Sequence, residues 1–188
     1  LHDALPICGG AGTVGFMQMT LLSYADPEKL DIAVPFIAKD CKSVYDQPEA
    51  IDALNFYKTL YEDGSHPDSI AWGYSEMVEA FYSGVTAMLI QDPEVVATCE
   101  EYMEEGTWDV APLPVGPSGQ ALFPAGFAGW GIAANSKNKD AAWEVIKTLS
   151  SVEGNTTFCK KNGNIPIHTT AQEDPFFSEG YYKCYMDM

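Results

Sequence analysis

Basic residues are scarce: ten lysines and arginines stand against 27 aspartates and glutamates in 188 residues, a formal charge of -17 at pH 7. A nucleic-acid backbone or an anionic membrane surface would be repelled over most of such a surface. Long apolar runs are missing too. The longest aliphatic stretch, Val85 to Ile90, is interrupted by Thr86 and falls far short of the roughly 20 residues that a membrane-spanning helix needs. Histidine is limited to His2, His66 and His168, and the five cysteines, at positions 8, 41, 99, 159 and 184, contain no Cys-x-x-Cys pair. That speaks against a zinc site, and no metal or cofactor is expected. The odd cysteine count leaves at least one thiol unpaired. There is no Gly-x-Ser-x-Gly elbow, and no histidine has a serine or cysteine partner in a recognisable motif. What remains is a globular composition, 46% apolar and 20% charged.

The chain starts at Leu1 without a charged-then-apolar leader, so any export signal is expected outside this sequence. Residues Leu1 to Ile7 (LHDALPI) read as an adapter-derived, non-native end and are set aside. Gly10, Gly12 and Gly15 spell Gly-x-Gly-x-x-Gly. No strand precedes them, so the spelling reads as a loop feeding an apolar helix from Phe16 to Tyr24 rather than as a dinucleotide fingerprint.

From Gln47 the pattern is helical. Pro48 suits a first turn, and Ala50, Ala53, Leu54, Tyr57, Leu60 and Tyr61 recur at helical spacing until Gly64. A second helix is expected from Ser75 to Tyr82, and a third is opened by Pro93. Between them Thr86 to Ile90 reads as a buried strand, as do Trp108 to Ala111 and Trp130 to Ala134. The Pro112 to Gln120 stretch reads as a stiff crossing between lobes. Asn138 is expected to cap a helix carrying Ala142, Trp143, Ile146 and Leu149, and Glu153 to Lys161 form another, stopped at Asn162-Gly163. The alternation predicts an α/β fold.

Several aromatic residues fall outside these periodicities: Trp72 and Tyr74 in a loop, and Phe127 and Trp130 in PAGFAGWG. Flat, partly apolar rings suit the C–H face of a sugar, and the alternative for each is ordinary core packing. Gly126, Gly129 and Gly131 would admit a ligand close to the backbone. Asp92 stands between an expected strand and the Pro93 helix. Its carboxylate either accepts from ligand hydroxyls or caps the helix. Asp92 with Glu94, or Glu76 with Glu79, also invites comparison with the carboxylate pair of a glycoside hydrolase. In so acidic a chain such pairs read mainly as solvated helix starts. Asn155-Thr156-Thr157 spells a glycosylation acceptor but reads as helix surface.

In their order and spacing, PEAIDALNFYKTLYEDG (48–64), WGYSEMVEAFYSGVTAMLIQDPE (72–94), WDVAPLPVGPSG (108–119) and the segment from Ala125 to His168 resemble one family. It is the extracellular solute-binding proteins that serve carbohydrate ABC transporters. The resemblance covers roughly Val14 to His168 and implies an α/β, type II periplasmic-binding-protein-like fold of two lobes, incomplete, with most of the N-terminal lobe missing. It implies that residues 8–112 form part of the C-terminal lobe, that 113–165 return to the N-terminal lobe, and that 166–188 are C-terminal-lobe helices. It implies binding without turnover. The ligand would be a small sugar held by Trp72, Tyr74, Asp92, Gly126, Phe127, Gly129 and Trp130, and the partners would be the permease subunits of the transporter. The location would be extracellular, periplasmic or on the cell surface as a lipoprotein. The competing expectations are a carbohydrate hydrolase using Asp92 or Glu76, a binding protein for a non-sugar solute, and an interaction module whose aromatics are all core. Faces that pack on absent strands are expected to be left wet, making this chain poorly soluble on its own.

Overall fold

Pro48 opens helix α1, Pro48–Gly64, from an extended Gln47, as its fixed φ and missing N–H favour. The computed structural model describes residues 21, 23–24, 43–45, 47–119, 121, 126 and 128–188. The adapter-like end, the glycine triplet at 10–15, Cys8, Cys41, Phe127 and most of the expected Phe16–Tyr24 helix lie outside them; Leu21, Ser23 and Tyr24 of that helix are helical. Contacts divide the chain into two compact units, one drawn from Leu1–Ile90 with Leu113–Ala125, the other from Gln91–Pro112 with Gly126–Met188.

In the first unit α1 buries Ala50 and Ala53 and leaves Leu54 exposed. Only the small residues of the expected stripe are therefore covered completely. A 3-10 helix, Pro67–Ala71, follows, and then α2, Tyr74–Tyr82, which buries Met77, Val78 and Ala80. Gly84, at φ 78°, takes the left-handed turn that ends α2, and its N–H donates to the Phe81 carbonyl at 3.0 Å. Gly116 and Ser118 dock on Ser23: Ser118 N–H donates to the Ser23 carbonyl at 3.0 Å, and a side chain at Gly116 would run into that backbone.

The second unit holds α3, Val95–Tyr102; α4, Lys139–Leu149; α5, Val152–Asn162; and the short C-terminal helices α6, Thr169–Gln172, α7, Pro175–Ser178, and α8, Gly180–Asp187. Its core is Val96, Cys159, Phe177 and Tyr182, flanked by Trp108, Val110 and Phe158. The thiols of Cys99, Cys159 and Cys184 are all free. Helix α5 ends on Gly163 at φ 73°, where a side chain would press on Glu94 Cα and the Tyr182 hydroxyl. Asn155 of the glycosylation-like triplet is spent structurally, its Oδ1 accepting the Ile167 N–H at 3.0 Å.

Two expectations are corrected. Thr86 to Ile90, Trp108 to Ala111 and Trp130 to Ala134 form no strand; among the described residues only Ser43 has a bridge, and an apolar run becomes a strand only by pairing with another. Asn138 does stand at the N-cap of α4, but its side chain makes no capping bond. That helix has a pronounced apolar side yet buries no residue, and Trp143 is 53% exposed. Its contacts with α5 leave Ala142, Ile146 and Leu149 only half-buried.

Candidate functional site

Trp72 and Tyr74 flank Gly73 on a segment pinned from both sides. Trp72 N–H donates to the Ser69 carbonyl at 3.1 Å, closing the 3-10 helix. Gly73 N–H donates to Glu76 Oε2 at 3.0 Å, and Met77 N–H to the Gly73 carbonyl at 3.1 Å. Trp72 is half-buried and Tyr74 exposed. The Trp72 indole lies on the His66 imidazole, with centroids 5.0 Å apart and planes 20° from parallel. These bonds fix the backbone of the aromatic segment. They also engage the Glu76 carboxylate at the start of α2, as a dipole partner would be.

Asp92 occupies a tight turn in which Val95 N–H donates to the Asp92 carbonyl at 3.2 Å. The residue at the N-cap of α3 is Glu94, and no side chain caps that helix. The capping alternative for Asp92 therefore falls away. Gln91 folds its Oε1 back to accept the Asp92 N–H at 3.0 Å, and Asn164 Nδ2 donates to Glu94 Oε1 at 2.6 Å. The neighbours of Asp92 are thus bound, while its own carboxylate, at the surface, accepts no hydrogen bond from the described residues. Desolvation by the surrounding protein, and then the Glu94 charge, raise its carboxyl above the usual aspartate range. Nearby, burial foremost pushes the Tyr185 phenol up to about 12, with Cys184 and Asp92 adding to it.

Trp130 is 51% exposed and meets Phe158 edge-on, with centroids 5.4 Å apart and planes at 80°. Gly126 and Gly129 are exposed, and a side chain added at either would meet nothing within 4 Å. Packing against the described residues does not require glycine there. Phe127 lies outside the described residues. Trp72 and Tyr74 thus belong to the first unit, and Asp92, Gly126, Gly129 and Trp130 to the second. A surface groove of about 430 Å³ in the second unit is lined by Val110, Pro112, Lys183 and Cys184 among others, and none of the expected ligand residues borders it. No group of histidine, cysteine or acidic side chains among the described residues is placed to hold a metal ion.

Sequence reasoning missed two participants. His66 was not singled out, although Pro67 and Asp68 behind it are the signature of an N-cap followed by a first-turn proline. The Asn164–Glu94 bond joins residues 70 apart in the chain, and no local pattern announces it.

Residues 10–181 match the protein family described as bacterial extracellular solute-binding protein. Proteins named as binding proteins in Brucella abortus (strain 2308) and Brucella suis biovar 1 (strain 1330) are 27% identical over 131 residues, 69% of this chain and 32% of theirs. Among solved structures, maltose-bound MalE3 of T. maritima superposes with a TM-score of 0.81 at 23% identity, covering 99% of this chain and 48% of that one. An ABC transporter solute-binding protein from Thermotoga lettingae, bound with alpha-D-tagatose, gives 0.68 at 21% identity, covering 99% and 45%. The maltose-maltodextrin binding protein of Alicyclobacillus acidocaldarius gives 0.68 at 15% identity, covering 99% and 49%. The chain therefore spans about half the length of these solved relatives and a third of the Brucella proteins. Its fold is that of part of a two-lobe, type II periplasmic sugar-binding protein.

Proposed function

The chain belongs to the bacterial extracellular solute-binding protein family, and from that premise we propose that it is the substrate-binding component of a carbohydrate ABC importer. It traps a sugar between two lobes by hinge closure and delivers it to the membrane permease. Contacts made in the closed form shift the population toward that form, and the permease reads the resulting shape. It works outside the cytoplasmic membrane, in the periplasm or at the cell surface as a lipoprotein. No helix among the described residues is long and apolar enough to cross a membrane.

The observation that carries this reading is the Asp92 carboxylate, held at the surface on a bonded turn and left without a hydrogen bond from the described residues. A bond between a charged group and a sugar hydroxyl contributes about 1.5–3 kcal/mol. The rings of Trp72, Tyr74 and Trp130 supply the apolar surface that a pyranose face requires. Phe127 and the open backbone at Gly126 and Gly129 complete the proposed contact set. Maltose and tagatose, bound in two of the solved relatives, support a carbohydrate ligand here.

The test is a thermal-shift screen of the full-length gene product against a sugar panel, with amino acids and polyamines as controls. A rise in melting temperature confined to sugars is expected. A rise with amino acids or polyamines alone would transfer the reading to another solute class. Steady release of product from a chromogenic glycoside, abolished by Asp92→Asn, would replace trapping with hydrolysis.

A further inference from the structure

His66 and Trp72 are the two caps of one five-residue 3-10 helix, Pro67–Ala71. At its start, His66 Nδ1 accepts the Asp68 N–H at 3.2 Å. At its end, Trp72 N–H donates to the Ser69 carbonyl at 3.1 Å. The helix is also tied to α1, since the Tyr61 hydroxyl donates to the Pro67 carbonyl at 3.2 Å. A turn this short and this bonded fixes the backbone at both caps, and the imidazole and indole stack at 5.0 Å across it. Trp72 itself is half-buried. An indole has two side-chain torsions to restrain before it can serve as a flat platform, and ring stacking restrains both.

We propose that His66 is a positioning residue: its imidazole holds the Trp72 indole in the orientation that receives a sugar ring, so that the platform exists before the ligand arrives. This rests on Trp72 being a ligand contact, as proposed above. The capping nitrogen and the stacking ring are separable functions of the same side chain. Asparagine at position 66 keeps an acceptor for the Asp68 N–H and removes the ring. Phenylalanine keeps a ring and removes the acceptor. If stacking is what matters, the phenylalanine variant retains binding and the asparagine variant does not, in the reverse order of their capping ability.

The experiment is calorimetric titration of the full-length gene product with maltose, comparing wild type, His66→Asn, His66→Phe and Trp72→Ala. Fluorescence, read as the difference from Trp72→Phe, isolates the Trp72 emission in parallel. Losing the pre-ordered pair should weaken maltose binding roughly three- to tenfold in His66→Asn and alter the Trp72 emission, with His66→Phe restoring affinity to within about twofold. His66→Asn binding maltose as tightly as wild type while Trp72→Ala binds poorly would overturn the inference and leave Trp72 in the site. Failure of His66→Phe to restore affinity would also overturn it, assigning the effect to the cap. Unchanged affinity in Trp72→Ala, or no binding by wild type of maltose or of any other sugar in the panel, would overturn the underlying reading and this inference with it.

Discussion

The Asn164 amide donates to Glu94 Oε1 at 2.6 Å, binding the loop that ends α5 to the turn that carries Asp92. Of the two acidic residues on that turn, Glu94 is held by this bond, while Asp92 stays open to an outside donor. The turn is thus set by the protein, and Asp92 is the acceptor on it that we propose for a sugar hydroxyl.

Asp92→Asn in the full-length gene product is expected to weaken sugar binding by roughly tenfold while the melting temperature of the unliganded protein holds or rises, because desolvation and the Glu94 charge already disfavour the carboxylate. The raised carboxyl pKa fixes the sign of the pH effect. A contact that needs the carboxylate is present above that pKa and is lost as pH falls through it, beginning at a higher pH than for an ordinary aspartate, about 3.9. Titrations at successive pH values should show this loss in wild type and not in Asp92→Asn.

The Asp174 carboxyl is shifted in the opposite direction. It accepts from Lys160 Nζ at 2.6 Å and from the Phe176 N–H at 3.0 Å at the start of α7. The Lys160 bond first and the Phe176 bond second hold its carboxyl below the usual range. Its stabilising contribution is complete above the unfolded aspartate pKa, about 3.9, and disappears as pH falls through the lower folded value. Thermal melts across this window should be less acid-sensitive in Asp174→Asn than in wild type.

Phe177 and Trp130 should separate stability from binding. Phe177 is fully buried, so Phe177→Ala is expected to destabilise the second unit by about 3–5 kcal/mol in urea melts. Trp130 is half exposed, and Trp130→Ala should cost far less stability but weaken sugar binding. Unchanged affinity would remove Trp130 from the site.

The glycines divide in the same way. Gly163→Ala forces a side chain onto a left-handed residue pressed against Glu94 and Tyr182, and should lower stability by more than about 1 kcal/mol. Gly129→Ala meets open space and should change stability by less than about 0.5 kcal/mol. Any loss of sugar affinity in Gly129→Ala then reports a ligand close to the backbone.

Helix α4 exposes Trp143, Val145 and the flanking Val152. The 188-residue chain by itself should self-associate and bind an apolar dye such as ANS. Trp143→Gln should reduce both effects without lowering the helix content measured by circular dichroism.

The sequence by itself determined where the longer helices between Pro48 and Asn162 lie, because their hydrogen bonds close within four residues and their boundaries are written in Pro48, Gly84 and Gly163. It also determined the acidic surface and the family resemblance carried by ordered segments. The expected strands were legible only as apolar runs, since a ladder needs a second strand and a single segment cannot specify one. Only the tertiary structure decided that Glu76 is spent on a helix start while Asp92 is not, and that His66 lies against Trp72. The two carboxylates look alike in the sequence. What distinguishes them is which donors the folded backbone brings within about 3 Å, a question of spatial neighbours rather than of spacing along the chain.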